Sequence, residues 1–351
     1  MSKLFQPIQI GNMEVKNRFV RSATHDWLGN PDGSISPQQV ELYEKLAAND
    51  VGLIITAHAY IEHPRGKASL NQNGIYDDNF ISGYQKLAKT VHKYGSKLVV
   101  QISHAGSLTT LEFTEGETPL NLNNMTNQEI EKIIEAYVQA ANRAKLAGCD
   151  GVQLHLAHGY FLSRFISPDT NKRQDQWGGS RENRVRIVGE IIKRIQALVG
   201  VDFPILVKLN STGGFEGTGA ISLEDVVYTA QALEDLGVCA IEVSGGVGGE
   251  KKNSLSRTGV LSPEQEAYFA ENAQEIKKAV SIPVILVGGL RSRLIIEKIL
   301  DEGIANMISM SRPFVREPDL VRKLKESQDK VTCISCNKCR VFTGIKCFYK
   351  D

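Results

Sequence analysis

Long apolar runs are missing from this sequence. Nowhere do roughly 18 apolar residues follow one another, as a membrane-spanning helix requires, and the opening MSKLFQPIQIGN lacks the continuous apolar stretch of a secretory leader. A cytoplasmic protein with no membrane partner is the expectation. An excess of one charge is missing as well: 41 Lys and Arg against 40 Asp and Glu leave a formal charge of +1. Overall charge therefore gives no support to a nucleic-acid partner, and a small-molecule substrate is the better expectation. There is no P-loop, no zinc-protease helix motif and no G-x-G-x-x-G after an early strand. The glycine-rich stretch at 245–249 comes late and has the wrong spacing. These absences leave a homo-oligomer open and argue against a doubly wound dinucleotide fold.

What is present is an alternation. The chain of 351 residues, 42% hydrophobic and 23% charged, can bury a large core and has no compositional mark of disorder. Eight β-branched apolar runs, at 18–23, 52–57, 97–102, 151–156, 204–210, 239–244, 283–288 and 306–311, read as strands. Between them, segments at 37–48, 80–94, 128–147, 181–198, 223–236, 263–279 and 291–301 carry helical period, and a last helix is expected at 318–326. Eight strands with intervening helices predict an α/β fold of the closed (β/α)₈ TIM-barrel type. It is read as a single domain over 1–328, with a short cysteine-bearing tail at 329–351.

In such a barrel, chemistry belongs on the loops after the strands. Gln101 and His104 close the third strand, and His155, His158 and Tyr160 fall at or after the end of the fourth. Lys208 and Asn210 end the fifth, Gly288 and Gly289 follow the seventh, and Ser311 and Arg312 follow the eighth. Glycine lets backbone N–H groups approach anionic oxygens, so late Gly-rich and basic loops predict a phosphorylated ligand. The tail holds Cys333, Cys336, Cys339 and Cys347 as C-x₂-C-x₂-C-x₇-C. In a reducing compartment, such a set suggests metal or redox chemistry more than disulfides.

The stretches NRFVRSAT (17–24), QISHAG (101–106), HLAHGYFLSRFISPDTNKRQDQWGGSRENR (155–184), VKLN (207–210), VGGL (287–290) and SRPFVREPDL (311–320) resemble the old yellow enzyme family of FMN-dependent ene-reductases. That resemblance implies an FMN-containing barrel that takes hydride from NADH or NADPH and passes it to an activated C=C bond. It implies flavin contacts from Ser22, Ala23, Thr24 and His25 after the first strand and from Ala57 after the second, with Trp27 beside the substrate. Gln101 would meet the pyrimidine edge and Lys208 would sit by N1 and O2. Gly288, Gly289, Ser311 and Arg312 would hold the phosphate, His155 and His158 the substrate's carbonyl oxygen, and Tyr160 would donate the proton.

Chemistry makes sense of those residue types. Hydride arriving at the β-carbon of an enone drives negative charge onto the carbonyl oxygen, which two aimed imidazole donors stabilise. The α-carbon then needs a proton, which a positioned phenol can give. The tail resembles only loosely the four-cysteine [4Fe–4S] set of the dienoyl-CoA reductase branch. A [4Fe–4S] cluster, zinc and free thiols all remain open there. With no second dinucleotide domain after residue 351, the four cysteines are expected to be dispensable for flavin chemistry. Two rival functions stay open: an FMN barrel dehydrogenase or demethylase of amines, and a flavin-free barrel lyase or isomerase using Lys208.

Overall fold

Apolar runs buried on both faces form parallel strands when helices cover the outside of the sheet, and this chain follows that rule. The structure is a computed structural model that describes residues 2–211, 221–246 and 254–349, so the glycine-rich stretch lies outside the described residues from 247 onward. The strands are β1 (Ile8–Ile10), β2 (Met13–Val15), β3 (Phe19–Arg21), β4 (Leu53–Ile55), β5 (Ala59–Tyr60) and β6 (Lys97–Ser103), then β7 (Gly151–Leu156), β8 (Ile205–Asn210), β9 (Ala240–Ser244), β10 (Val284–Val287) and β11 (Met307–Met310). Parallel pairing runs β3-β4-β6-β7-β8-β9-β10-β11 and closes from β11 back to β3, giving the eight-stranded barrel expected from the sequence. The two-residue β5 adds to β6 at the barrel's upper rim.

The crossover helices are α1 (Pro37–Ala48), α2 (Ile81–His92), α3 (Asn127–Leu146), α5 (Arg181–Val199), α6 (Leu223–Asp235), α7 (Ala270–Ala279) and α8 (Arg293–Asp301). Short helices α4 (Phe161–Ile166), α9 (Arg312–Arg316) and α10 (Leu320–Lys325) complete the set among the described residues. Local chemistry sets the helix starts. Ser36 with Gln39, and Thr126 with Glu129, form reciprocal capping boxes at α1 and α3. The inner stripe of α3, Ile130, Ile133, Ile134, Tyr137 and Ala141, is buried against the barrel, each large aliphatic contributing about 1.5–3 kcal/mol by burial.

Two details differ from the sequence reading. β1 and β2 form an antiparallel hairpin that the reading lacked, turning at Gly11, whose φ is +56°. Ile10, Met13 and Val15 join Val20, Leu53, Val99, Leu206, Ile285 and Met307 in a separate inner core, so the hairpin plugs the bottom of the barrel. The helix expected over 263–279 is broken. A 3₁₀ turn at Pro263–Gln265 is followed by Ala267 at φ +51°, and α7 starts only at Ala270.

After α10 the described chain contains no helix or strand. It returns over the upper mouth of the barrel, where Val331 N–H donates to Arg291 O at 2.9 Å and Ile345 N–H donates to Asp26 O at 2.8 Å. No helix among the described residues is long and apolar enough to cross a membrane.

Candidate active site

Register decides which strand residues meet. Gln101 of β6 is opposite Gln153 of β7, and Lys208 of β8 is opposite both His155 of β7 and Glu242 of β9. All of these side chains are buried, and together they form a polar layer across the top of the barrel. Glu242, fully buried, is its centre: it accepts from Ser22 Oγ (2.8 Å), Ser309 Oγ (2.7 Å) and Gln153 Nε2 (2.9 Å), with Lys208 Nζ at 3.3 Å. Lys208 also donates to Ser22 Oγ at 2.8 Å. The Gln101 amide nitrogen donates to Gln153 Oε1 at 2.7 Å, which turns the Gln101 amide oxygen into the acceptor left for a ligand.

Above this layer lies one crevice with two ends. The first end is lined by Ser22, Ser244, Tyr268, Gly288, Gly289, Ser311 and Arg312. Gly288 and Gly289 have φ values of +132° and +68°, and a Cβ on either would come within 2.8 Å or less of the Tyr268 ring. Only glycine keeps this backbone close to the cavity. Arg312 is anchored through Nη1, which donates to Arg257 O and Asn337 Oδ1, both at 2.8 Å.

The second end is lined by Thr24, His25, Trp27, His58, Gln101, His155 and Tyr160, and it shares Ala23, His158, Lys208 and Arg312 with the first. The His155 and His158 rings are 5.1 Å apart, and the Tyr160 ring lies 4.7 Å from His155. Burial, reinforced by neighbouring cationic or imidazole groups, drives the pKa values of His25, His155 and His158 well below the usual histidine range. They are therefore neutral hydrogen-bonding groups at neutral pH. Burial likewise pushes the Tyr160 phenol up to about 12, keeping its proton in place. His155 Nδ1 is buried with no hydrogen-bond partner in the protein, the kind of orphan that a ligand satisfies. His158 Nε2 is 2.8 Å from Ser244 Oγ, which leaves Nδ1 as the nitrogen available to a ligand. Ala57 is buried two residues beyond β4, and its N–H donates to Tyr43 Oη at 2.9 Å.

Several residues of this crevice were absent from the sequence reading. His58, pushed down to about 4 by burial and by Lys208, meets the Tyr160 ring edge-on, with centroids 5.0 Å apart. Gln72 Nε2 donates to His58 Nδ1 at 3.0 Å, which fixes the ring proton on Nε2. Its position directly after Ala57, on the loop following a barrel strand, was the available signal. Glu242 was marked by being the single charge in the apolar run of β9. Arg340, Phe342 and Ile345 also line the second end, and they come from the tail.

The four tail cysteines share one small cavity with Arg312 and Arg316. Burial raises the Cys333 and Cys339 thiols, and Arg316 Nη1 approaches Cys347 Sγ at 3.9 Å. Among the described residues no three His, Cys, Asp or Glu side chains are gathered closely enough to hold a metal ion. As arranged among the described residues, the thiols do not form a ligand set.

A closed parallel barrel whose glycine-lined anion cradle opens into a pocket of neutral histidines defines a mononucleotide-binding (β/α)₈ barrel of the flavin type. The residues fit FMN: the cradle suits its phosphate, the Gln101 oxygen suits a ring N–H, and His155, whose Nδ1 has no partner in the protein, lines the adjoining end. The profile of the NADH:flavin oxidoreductase / NADH oxidase family matches residues 3–330. An NADH oxidase of Thermoanaerobacter brockii is 39% identical over 348 residues, which is 95% of this chain and 52% of that protein. An NADPH dehydrogenase of Halalkalibacterium halodurans is 32% identical over 327 residues, 90% of this chain and 92% of its own length. The solved complex of 2-naphthoyl-CoA reductase with 2-naphthoyl-CoA superposes with a TM-score of 0.87 at 28% identity, covering 96% of this chain and 54% of that one. The chain belongs to the NADH:flavin oxidoreductase, or old yellow enzyme, family, whose members use FMN with NADH or NADPH. It spans about half the length of the first of the curated relatives it matches.

Proposed function

We propose that this protein is an NAD(P)H-dependent FMN oxidoreductase that reduces the activated C=C bond of α,β-unsaturated carbonyl compounds. It would act in the cytoplasm on a small-molecule substrate. The observation that carries the reading is the cluster of His155, His158 and Tyr160, kept uncharged by burial in one pocket that is continuous with the glycine cradle. An amine-oxidising site has little use for two neutral donors converging on an oxygen. A Schiff-base lyase would need a free lysine, whereas Lys208 is paired with Glu242.

Gly288, Gly289, Ser311 and Arg312 would hold the FMN phosphate. Ser22, Ala23, Thr24, His25, Ala57 and Gln101 would surround the ring, with Lys208 beneath its pyrimidine side. Bound FMN supplies two-electron chemistry, accepting hydride from NADH or NADPH and delivering hydride to the substrate's β-carbon. His155 and His158 would each donate one N–H to the carbonyl oxygen, where negative charge develops. Tyr160 would hold its proton for the α-carbon, as its raised pKa allows. Trp27 would cover the substrate's apolar body.

The test is the spectrum of the purified protein during anaerobic addition of NAD(P)H and then cyclohexenone. Bleaching of a flavin band followed by its return supports the reading. A protein that is colourless and cannot be reconstituted with FMN, or a reduced flavin that no enone reoxidises, overturns it.

A further inference from the structure

The tail forms one wall of the pocket. Ile345 N–H is tied to Asp26 O at 2.8 Å, and the Phe342 ring meets the edge of Trp27 at 5.7 Å. Gly344 fits so closely that a Cβ there would lie 2.7 Å from Leu28 Cδ2. These contacts hold Arg340 at the pocket, where it is a lining residue although exposed to solvent.

Charge around the pocket is one-sided. Among its described lining residues there is no Asp or Glu. Three cations line it: Lys208 is paired with Glu242, and Arg312 is anchored at the phosphate end by backbone and Asn337 oxygens. Arg340 has no side-chain hydrogen bond or ion pair among the described residues, so its guanidinium is the donor set left over. The four pocket histidines are uncharged at neutral pH, chiefly through burial, and the field of Arg340 adds to burial at His25 and His158. The histidines can therefore bind a carbonyl oxygen, but they offer no net charge to an anion.

We propose that the pocket is built for an α,β-unsaturated carbonyl compound carrying an anionic group, and that Arg340 of the tail binds that group. A planar guanidinium suits a carboxylate in particular, since it can give two parallel N–H donors. The substrate would lie with its carbonyl at His155 and His158, its apolar part against Trp27 and Phe342, and its charge under the tail. This inference rests on the carbonyl-binding reading above and names the substrate class for it.

The experiment uses FMN-loaded full-length protein and two phenols of equal shape, 4-hydroxybenzoate and 4-hydroxybenzamide, titrated by their perturbation of the flavin absorption band. The wild type should prefer the carboxylate, and the preference should weaken at high ionic strength, as expected for a solvent-exposed charge. The ratio of the two affinities should fall about tenfold in Arg340→Gln, the effect of losing roughly 1.4 kcal/mol. Arg340→Lys should retain part of it, as a point charge in place of a fork. If both phenols bind and Arg340→Gln leaves the ratio unmoved, the anion site is refuted while the carbonyl site stands. If neither phenol perturbs the flavin, the carbonyl-site reading itself fails, and this inference falls with it.

Discussion

Lys208 Nζ lies 3.3 Å from Glu242 Oε2 across adjacent strands, with the two side chains 3% and 0% exposed. The family resemblance puts Lys208 by N1 and O2 of the flavin. The pairing largely balances the lysine charge within the buried layer, so Lys208 would meet a bound flavin mainly as a held hydrogen-bond donor. Breaking a buried pair by removing one partner leaves an uncompensated charge, which costs about 3–5 kcal/mol. Lys208→Met should lower the stability of the apoprotein to urea by that amount. The double variant Lys208→Met/Glu242→Gln should recover much of the loss. Additive losses in the double variant would show that the two residues do not act as a pair.

The phosphate cradle makes a separate prediction. Arg312→Ala removes charge-assisted bonds to a phosphate, which contribute about 1.5–3 kcal/mol each, so FMN affinity should fall at least tenfold. Gly289→Ala should also weaken FMN, because its φ of +68° strains any side chain and a Cβ would sit 2.6 Å from the Tyr268 ring. Fluorescence of released flavin on dilution measures both. Unchanged retention in both variants would remove the phosphate from this end of the crevice.

Acid should destabilise the fold through the pocket histidines. Burial depresses the folded pKa of His58 to about 4 from an ordinary value of 6.5, and those of His25, His155 and His158 also fall. Below 6.5 the unfolded chain takes up protons that the folded one refuses. Stability from these groups is thus complete above 6.5 and is lost as the pH falls, down to about 4 for His58. Each histidine contributes a slope of up to about 1.4 kcal/mol per pH unit. His58→Gln should flatten the urea-stability profile of the apoprotein in that window. An unaltered slope would mean that His58 titrates normally in the fold.

The barrel was legible because parallel strands buried on both faces are largely apolar runs, and each of the eight runs coincides with one of the eight barrel strands to within a residue or two at either end. The hairpin of β1 and β2 was not, since three-residue strands are too short for a period to emerge. The break before α7 hides in an ordinary alanine, whose φ of +51° nothing local announces. Within the pocket, His155, His158 and Tyr160 were legible because barrel chemistry gathers at strand ends. Arg340 was not: it reaches the same pocket through a chain return that begins about as far from His155 in sequence as the barrel allows, and a surface arginine between two cysteines carries no period or motif of its own.

In the proposed reaction, reduction of the flavin needs no proton from Tyr160, whereas its reoxidation by an enone does. Anaerobic stopped-flow absorbance of FMN-loaded wild type and Tyr160→Phe separates reduction of the flavin by NAD(P)H from its reoxidation by cyclohexenone. If Tyr160 holds the proton for the α-carbon, the variant should be reduced at close to the wild-type rate, and its reoxidation by enone should slow by about 10²–10⁴-fold, the usual cost of losing a general acid. Equal slowing of both half-reactions, or reoxidation of the variant at the wild-type rate, would contradict it.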